Sequence, residues 1–423
     1  MKKNIKYFMF ILTIILVICI YNIAIKYNTT VTEDYDKNKV TIWNIQGGLT
    51  AAVHEVIDGY KDIYPQVEFV IQDYENQVYK DIVKDILVTN EGPDIFFTWG
   101  FEFLREFVKG DMILDITEEV KEREYDQIIG EEKLSGVKFN NKIYGLPIQG
   151  FDTVLFLNEN MFSEYGVKVP TTYDELLLAI DKFKSNGITP ISIGGEEDWL
   201  LSMLYMTLVI REEGIETAKV MFESNEYLEG DGYIEAANKF VDLIHKGAFG
   251  SNSMNKTIKE AAYEFCNSKS AMFFGGSYDS NTIQTIDDEF SKTVKVIPFP
   301  IINDNSNLLE GVAGYTDSFV VNKYTENKDL VIDIYMRLVK DLSEKLVHER
   351  GGGLPVWCDE NCDIDEEELI YKCLDVFPTK GYHEPYDILL PKEFADIHLN
   401  SLRELAKGNI TVEEFINRQR EYK

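Results

Sequence analysis

Short, dense apolar runs alternate along the chain with stretches whose apolar residues return every three or four positions. VTIWNI (40–45), VEFVIQDY (67–74) and IFFTW (95–99) are runs of the first kind and predict buried strands. Between them, LTAAVHEVIDGYKDIYP stops at Pro65, and YKDIVKDILVTN places Ile82, Val83, Ile86 and Leu87 on one face; both predict helices. Strand, helix, strand, helix, strand in that order predicts an α/β unit with a parallel sheet covered by helices. Ligands of such sheets gather beyond the C-terminal strand ends. Gln46 and Gly47, after the first strand, then share a rim with Trp99 and Glu102, after the third.

The pattern changes near residue 150. Val154, Leu155, Phe156 and Leu157 form an apolar run that predicts a strand, yet Gln149, Gly150, Phe151, Asp152 and Thr153 stand directly before it. A second alternation follows. Thr172 with Glu175 predicts a capping box for a helix that turns Leu176, Leu177, Ile180 and Phe183 inward. GITPISIGG (187–195) predicts a strand, Asp198-Trp199 opens a helix, and YIEAANKFVDLIHKG (233–247) predicts an amphipathic helix ended by Gly247. Residues 259–283 read as helix, strand, Gly-Gly turn, helix, and VKVIPFP as a further strand. This alternation has its own apolar faces, so a second lobe begins near 150. GVAGYTDSFVVNK (311–323) again sets glycines and polar groups before a strand, residues 329–349 predict a long helix, and GGGLPVW (351–357) is a third loose passage. Thr411 and Glu414 predict a capping box for a closing helix.

A chain of 423 residues is too long for one core, which agrees with two lobes. Its charge is uneven. Residues 1–26 carry four lysines and no acid, so a total of −31 leaves −35 for the rest. That surface repels nucleic acid and anionic lipid and tolerates neutral or cationic small molecules. Lys2, Lys3 and Lys6 precede a hydrophobic run over 7–25 with one Asn, Asn22, which predicts a signal sequence or a membrane anchor over 1–26, with a polar linker over 27–38. The lysines hold the N-terminus in the cytoplasm, so the acidic bulk is exported. No A-x-A cleavage pattern follows, and Ile18 directly before Cys19 is a poor lipidation signal. Either an uncleaved helix or lipidation at Cys19 would hold the protein at the outer face of the cell membrane.

Cys358, Cys362 and Cys373 are spaced C-x3-C-x10-C, which is not a zinc-site spacing; one disulfide or free thiols both fit. Cys266 sits in an apolar context. The acidic stretch 359–368 lacks the glycine and terminal glutamate of an EF-hand loop and reads as a solvated loop. The five histidines are scattered, there is no G-x-S-x-G, and the glycines at 351–353 precede Leu-Pro rather than a helix. No metal, cofactor or catalytic constellation is expected.

Taken in order, GPDIFFTW, KIYGLPIQGFDTVLFLNENMF, VPTTYDELL, SKSAMFFGGSY, GVAGYTDSFVVNK, GGGLPV and GNITVEEF resemble the extracellular solute-binding proteins of ABC importers. The resemblance is to the sugar-binding family that includes maltose-binding protein, and it covers nearly the whole chain after the leader. It implies an α/β, two-lobed periplasmic-binding-protein-like fold with a ligand cleft between lobes joined by three crossing segments, at 149–155, 311–318 and 351–356. It divides the chain into an N-terminal lobe of 39–150 plus 315–350 and a C-terminal lobe of 151–314 plus 351–423. It also implies a monomer that captures a carbohydrate and hands it to the importer's membrane subunits.

Sugars present hydroxyls and apolar C–H faces, which suit carboxylates, amides and flat aromatics. Trp99, Trp199 and Tyr278 fall where the family places cleft aromatics. Gln46, Glu102, Asp152 and Asp317 are the polar candidates, Phe151 and Tyr315 come from the crossings, and Gly276 would admit backbone close to ligand. Tyr382 is a further aromatic candidate. Trp43, in mid-strand, is assigned to the core, and Trp357 is left out. Other readings stay open: acid–base chemistry by Asp152 and Asp317, a membrane-tethered sensor, or a polyamine or peptide ligand. A cation site of that last kind would need several convergent carboxylates around an aromatic box.

Overall fold

The computed structural model describes residues 39–87, 92–223, 230–348, 353–357 and 368–421. The leader with Cys19, the linker, and Cys358 and Cys362 lie outside the described residues.

Strands β1 (Lys39–Ile45), β2 (Glu68–Tyr74) and β3 (Ile95–Trp99) lie parallel, joined by helices Gly48–Ile63 and Asn76–Leu87, as the apolar periodicity predicts. A hairpin, β4 (Lys138–Phe139) with β5 (Lys142–Ile143), leads into β6 (Leu146–Asn158). The second lobe supplies β7 (Thr189–Ser192), β8 (Ser270–Gly276) and β9 (Val294–Ile297), and the chain returns through β10 (Glu310–Val321). The main path of one nine-stranded sheet runs β2-β1-β3-β10-β6-β8-β7; β9 pairs with β6, and β11 (Gly381–His383) with β10.

The sheet is therefore mixed. β7 and β8 are parallel, like β1–β3, whereas every pair of β6 or β10 with a neighbour in this main path is antiparallel. The reason is directional. β6 carries the chain out of the first lobe and β10 carries it back, so the two crossings must run opposite ways. They are long enough, at 13 and 12 residues, to serve both lobes. The polar stretch at 149–153 is thus part of strand β6 rather than a turn before it, and it is buried almost throughout.

Alternation along β6 explains the unbroken run Val154–Leu157. Leu155 and Leu157 pack with Leu176, Leu204, Phe240 and Phe274 on one face, while Val154 and Phe156 pack with Phe265, Phe273 and Cys373 on the other. Both faces are covered, so no position on the run is polar. Helix Asp198–Glu213 is buried from Leu200 through Arg211, which fits its all-round apolar sequence. At its end the buried Arg211 donates to the carbonyls of Phe299 (2.8 Å), Asn307 (2.9 Å) and Glu310 (2.8 Å), fixing the loop that enters β10. The first core gathers Ile42, Phe96, Phe97, Ile148, Phe319 and Tyr335, and takes in Trp43 as expected.

Residues 353–357 straddle the lobes. Leu354 packs beside Cys373 in the second lobe, while Val356 and Trp357 pack into the first core, where the Trp357 indole donates to Pro147 O at 2.9 Å. The capping box at Thr411 and Glu414 forms reciprocally. At Thr172 only half of it forms: Thr172 accepts from the Glu175 amide, but the Glu175 carboxylate reaches Thr171 instead.

The three crossings meet at Gly150. Its amide donates to Leu354 O and its carbonyl accepts from the Leu354 amide, each at 2.8 Å. A register shift in β10 between Gly314 and Asp317 leaves the Tyr315 ring over Gly150. A Cβ there would stand 2.6 Å from that ring and 3.1 Å from Gly314 O. Gly150→Ala is expected to destabilise the protein by about 1–3 kcal/mol through overpacking, read as a lower denaturant midpoint with an unchanged slope.

Candidate functional site

The cleft lies where the C-terminal ends of β1 and β3 face those of β7 and β8, with the crossings between them. On the first lobe, Gln46 is exposed after β1; its backbone N–H donates to Tyr74 O at 2.7 Å and its side-chain Nε2 to Asp73 O at 3.4 Å. Trp99 ends β3 opposite Asp317. It is 8% exposed and packs edge-on against Phe97 and Phe103, with ring centres 5.0 and 5.1 Å away. The Lys80 ammonium lies 4.8 Å from its ring centre and pairs with Asp387 at 3.4 Å. Glu102 pairs with Arg105 at 2.5 Å and Lys109 at 3.1 Å on its own helix.

The second lobe and the crossings make a tighter group. Tyr278 lies 6.0 Å from Trp199 and 6.2 Å from Phe151, ring centre to ring centre, each pair inclined. Gly276 makes room for this ring: a Cβ there would stand 2.2 Å from Tyr278. The Tyr278 hydroxyl has no hydrogen-bond partner among the described residues, and burial, then the charges of Asp279, Asp317, Glu197 and Asp152, hold it well above the usual phenol range. Structure thus joins Phe151, Asp152, Trp199, Gly276, Tyr278 and Asp317 in one place. Tyr315 adjoins it, within electrostatic reach of Asp152. Gln46, Trp99 and Glu102 stand on the facing lobe. Tyr382 lies beyond Tyr315, through Phe377, and donates to Glu132 at 2.7 Å.

Four polar groups join this site that the sequence reading did not select. Gln149 donates from Nε2 to Asp317 Oδ2 at 2.8 Å, while its Oε1 is buried and unpartnered. Ser277 clamps Asp152, its hydroxyl accepting the Asp152 amide at 3.1 Å and its own amide bonding Asp152 O at 2.9 Å. Asp279 accepts the Gly276 amide at 3.0 Å. Glu197, ahead of helix Asp198–Glu213, has Oε2 buried and unpartnered. Asp279 directly follows Tyr278 and Glu197 stands two residues before Trp199, and that proximity in the chain was the available signal.

Burial dominates the electrostatics. It raises Asp152, Glu197 and Asp279 to about 7 and Asp317 to about 6, against small offsets from Ser277, the Ile258 amide, the Gly276 amide and Gln149. Among the described residues no three His, Cys, Asp or Glu side chains converge closely enough to hold a metal ion. Aromatic faces beside unpartnered acceptors can hold a molecule with apolar faces and hydrogen-bond donors.

Residues 46–335 match the family described as bacterial extracellular solute-binding protein. Among curated relatives, the multiple sugar-binding protein of Streptococcus mutans is 22% identical over 277 residues, 62% of this chain and 63% of that protein. The aligned region is therefore less than two thirds of that relative's length. A structure solved in work on xylan utilization by the thermophilic bacterium Caldanaerobius polysaccharolyticus superposes with a TM-score of 0.85 at 30% identity, over 91% of this chain and 99% of that one. An ABC transporter solute-binding protein from Thermotoga lettingae, bound with α-D-tagatose, superposes at 0.77 with 20% identity, over 91% and 98%.

Asp152 supplies a test of this electrostatic setting. Its folded pKa of about 7 exceeds the ordinary 3.8, so its share of stability is full below pH 3.8 and is lost as pH rises through 7. Asp152→Asn is expected to stabilise the unliganded protein by about 2–4 kcal/mol more at pH 8 than at pH 4. Melting curves at the two pH values check this; equal shifts would show that the carboxylate is not desolvated.

Proposed function

Because the chain belongs to the bacterial extracellular solute-binding protein family, we propose that it captures a sugar or oligosaccharide between its lobes and delivers it to the membrane subunits of an ABC importer. The observation that carries this reading is the Trp199–Tyr278–Phe151 group, set beside buried acceptors that lack partners. Aromatic faces match the C–H faces of a pyranose, and carboxylates match its hydroxyls. The multiple sugar-binding relative and the tagatose-bound neighbour support a carbohydrate ligand.

In this reading Trp199, Tyr278, Phe151, Gly276, Asp152 and Asp317 contact the sugar from the second lobe and the crossings. Gln46, Trp99 and Glu102 approach it from the first lobe as the cleft shuts, and Tyr315 borders the floor. The lobes comprise 39–150 with 315–350 and 151–314 with 351–423. Closure needs ligand to bind the shut form more tightly than the open one. The bent β10 and the glycines at the crossing are where such a rotation is absorbed. The protein acts by binding and release rather than by turnover, at the outer face of the membrane, held there by its N-terminal segment.

Trp199→Ala is expected to weaken sugar binding by about 1–3 kcal/mol, as removal of an aromatic stacking platform does elsewhere. A thermal-shift screen of the full chain against mono- and oligosaccharides identifies the ligand to titrate, because ligand bound only to the folded state raises the melting temperature. Unchanged affinity in a folded Trp199→Ala variant rejects the stacking role. An absence of shifts from every sugar rejects the carbohydrate reading.

A further inference from the structure

Outside the three crossings, one short segment packs into both cores. Tyr386 and Leu390 are buried in the second core, while Ile388 is buried in the first with Leu389 packed against it. The short helix Tyr386–Leu389 sits between helix Phe101–Lys109 of the first lobe and helix Asp198–Glu213 of the second. Two polar contacts accompany this packing. Asp387 Oδ2 stands 3.4 Å from Lys80 Nζ, which lies 4.8 Å from the Trp99 ring centre. The pair is shielded from water, the Asp387 side chain being 5% exposed and that of Lys80 19%. Earlier in the segment, the Tyr382 hydroxyl donates to Glu132 Oε1 of the first lobe at 2.7 Å.

The segment is fixed to the second lobe. The Tyr386 amide donates to Met206 Sδ at 3.0 Å, and its ring centre lies 4.9 Å from that of His398 and 6.2 Å from that of Phe394. β11, which carries Tyr382, pairs with residues 310–312 of β10, and the Tyr382 ring centre is 5.6 Å from that of Phe377. A rotation of the lobes about the crossings cannot keep both sets of contacts. The set on the second lobe is the larger, so opening draws Ile388 out of the first core and parts Asp387 from Lys80 and Tyr382 from Glu132. Exposing an apolar side chain to water costs free energy, and a hydrogen bond to a charged group adds net stabilisation. Each contact therefore favours the shut arrangement of the lobes.

We propose that residues 381–390 are a closure strap: held by the second lobe, they grip the first through Asp387 with Lys80, Tyr382 with Glu132, and Ile388, and so set the balance between open and shut cleft. The proposal rests on the closure reading above and names the residues that govern it. It makes Asp387, Lys80, Tyr382 and Glu132 positioning residues, which act on ligand affinity through the population of the shut form.

The test reads lobe separation directly. Spin labels are placed on the full chain at Ile63 and Leu178, exposed positions on the two lobes, through unnatural amino acids. The distance between them is measured by pulsed electron paramagnetic resonance with no sugar added. In Lys80→Met and in Tyr382→Phe the ratio of open to shut molecules is expected to rise about three- to tenfold, the net effect of losing one hydrogen bond. Lys168→Met, which breaks an ion pair inside the second lobe, is expected to match the parent. Distance distributions unchanged in both strap variants overturn the proposal. A lowered melting temperature with an unchanged distribution marks a merely structural contact and overturns it as well, as does an equal shift in Lys168→Met. Because no sugar is present, failure of the strap leaves the carbohydrate reading standing. A strap confirmed in a chain whose melting no sugar shifts removes the carbohydrate reading alone.

Discussion

Two hydrogen bonds of 2.8 Å between Gly150 and Leu354 tie the third crossing to the other two, and the rest of the molecule is arranged around that junction. β6 and β10 each belong to both lobes, so a single sheet passes through the waist of the protein. Backbone groups buried there must be paired within the chain, and three crossing segments supply the partners. Close approach sets the residue: only a missing side chain leaves room for the Tyr315 ring above residue 150. The same site joins strong pairing along the strands to a break in register at Tyr315–Thr316, where the ladder can yield.

The candidate binding groups proposed above grow directly from this junction. Phe151 and Asp152 follow Gly150, Asp317 pairs opposite Gln149, and Ser277 clamps Asp152 from the end of β8. A fold selected for stability alone would not leave Asp152 buried with unpartnered oxygens or hold Glu197 and Asp279 near neutrality. Departures of this kind concentrate where a structure meets a ligand. Elsewhere the buried charge is well served, as Arg211 is by the carbonyls that lead into β10.

Across the cleft the lobes are held by contacts of a different kind. The segment Tyr386–Leu389 puts Tyr386 in the second core and Ile388 in the first, and its Asp387 reaches Lys80 beside Trp99. Helix Asp279–Ile286 approaches helix Gly48–Ile63 from the facing lobe. Trp99 is therefore bound up with core packing and with this bridge, whereas Trp199, half-buried, packs against the second core and the Tyr278 ring. That difference is why Trp199 is the sharper probe of ligand stacking.

Periodicity in the sequence determined most elements, because apolar spacing reports which faces are covered: β1 to β3, the helices between them, the all-buried helix after Trp199 and the cap at Thr411 are all legible in it. The resemblance carried by GFDTVLFLN, FFGGSY and GVAGYTDSF marked where the lobes join and picked Phe151, Asp152, Trp199, Tyr278 and Asp317, which do come together. What the sequence alone could not decide was pairing. Strand order and direction, the bend at Tyr315, the return of Val356 and Trp357 to the first core, and the partners of Gln149, Ser277, Glu197 and Asp279 depend on residues far away in the chain. Local spacing carries a residue's own preference for helix, strand or turn. Whether a buried carboxylate meets a donor, a cation or nothing is a property of three-dimensional neighbours, and only the tertiary structure supplies them.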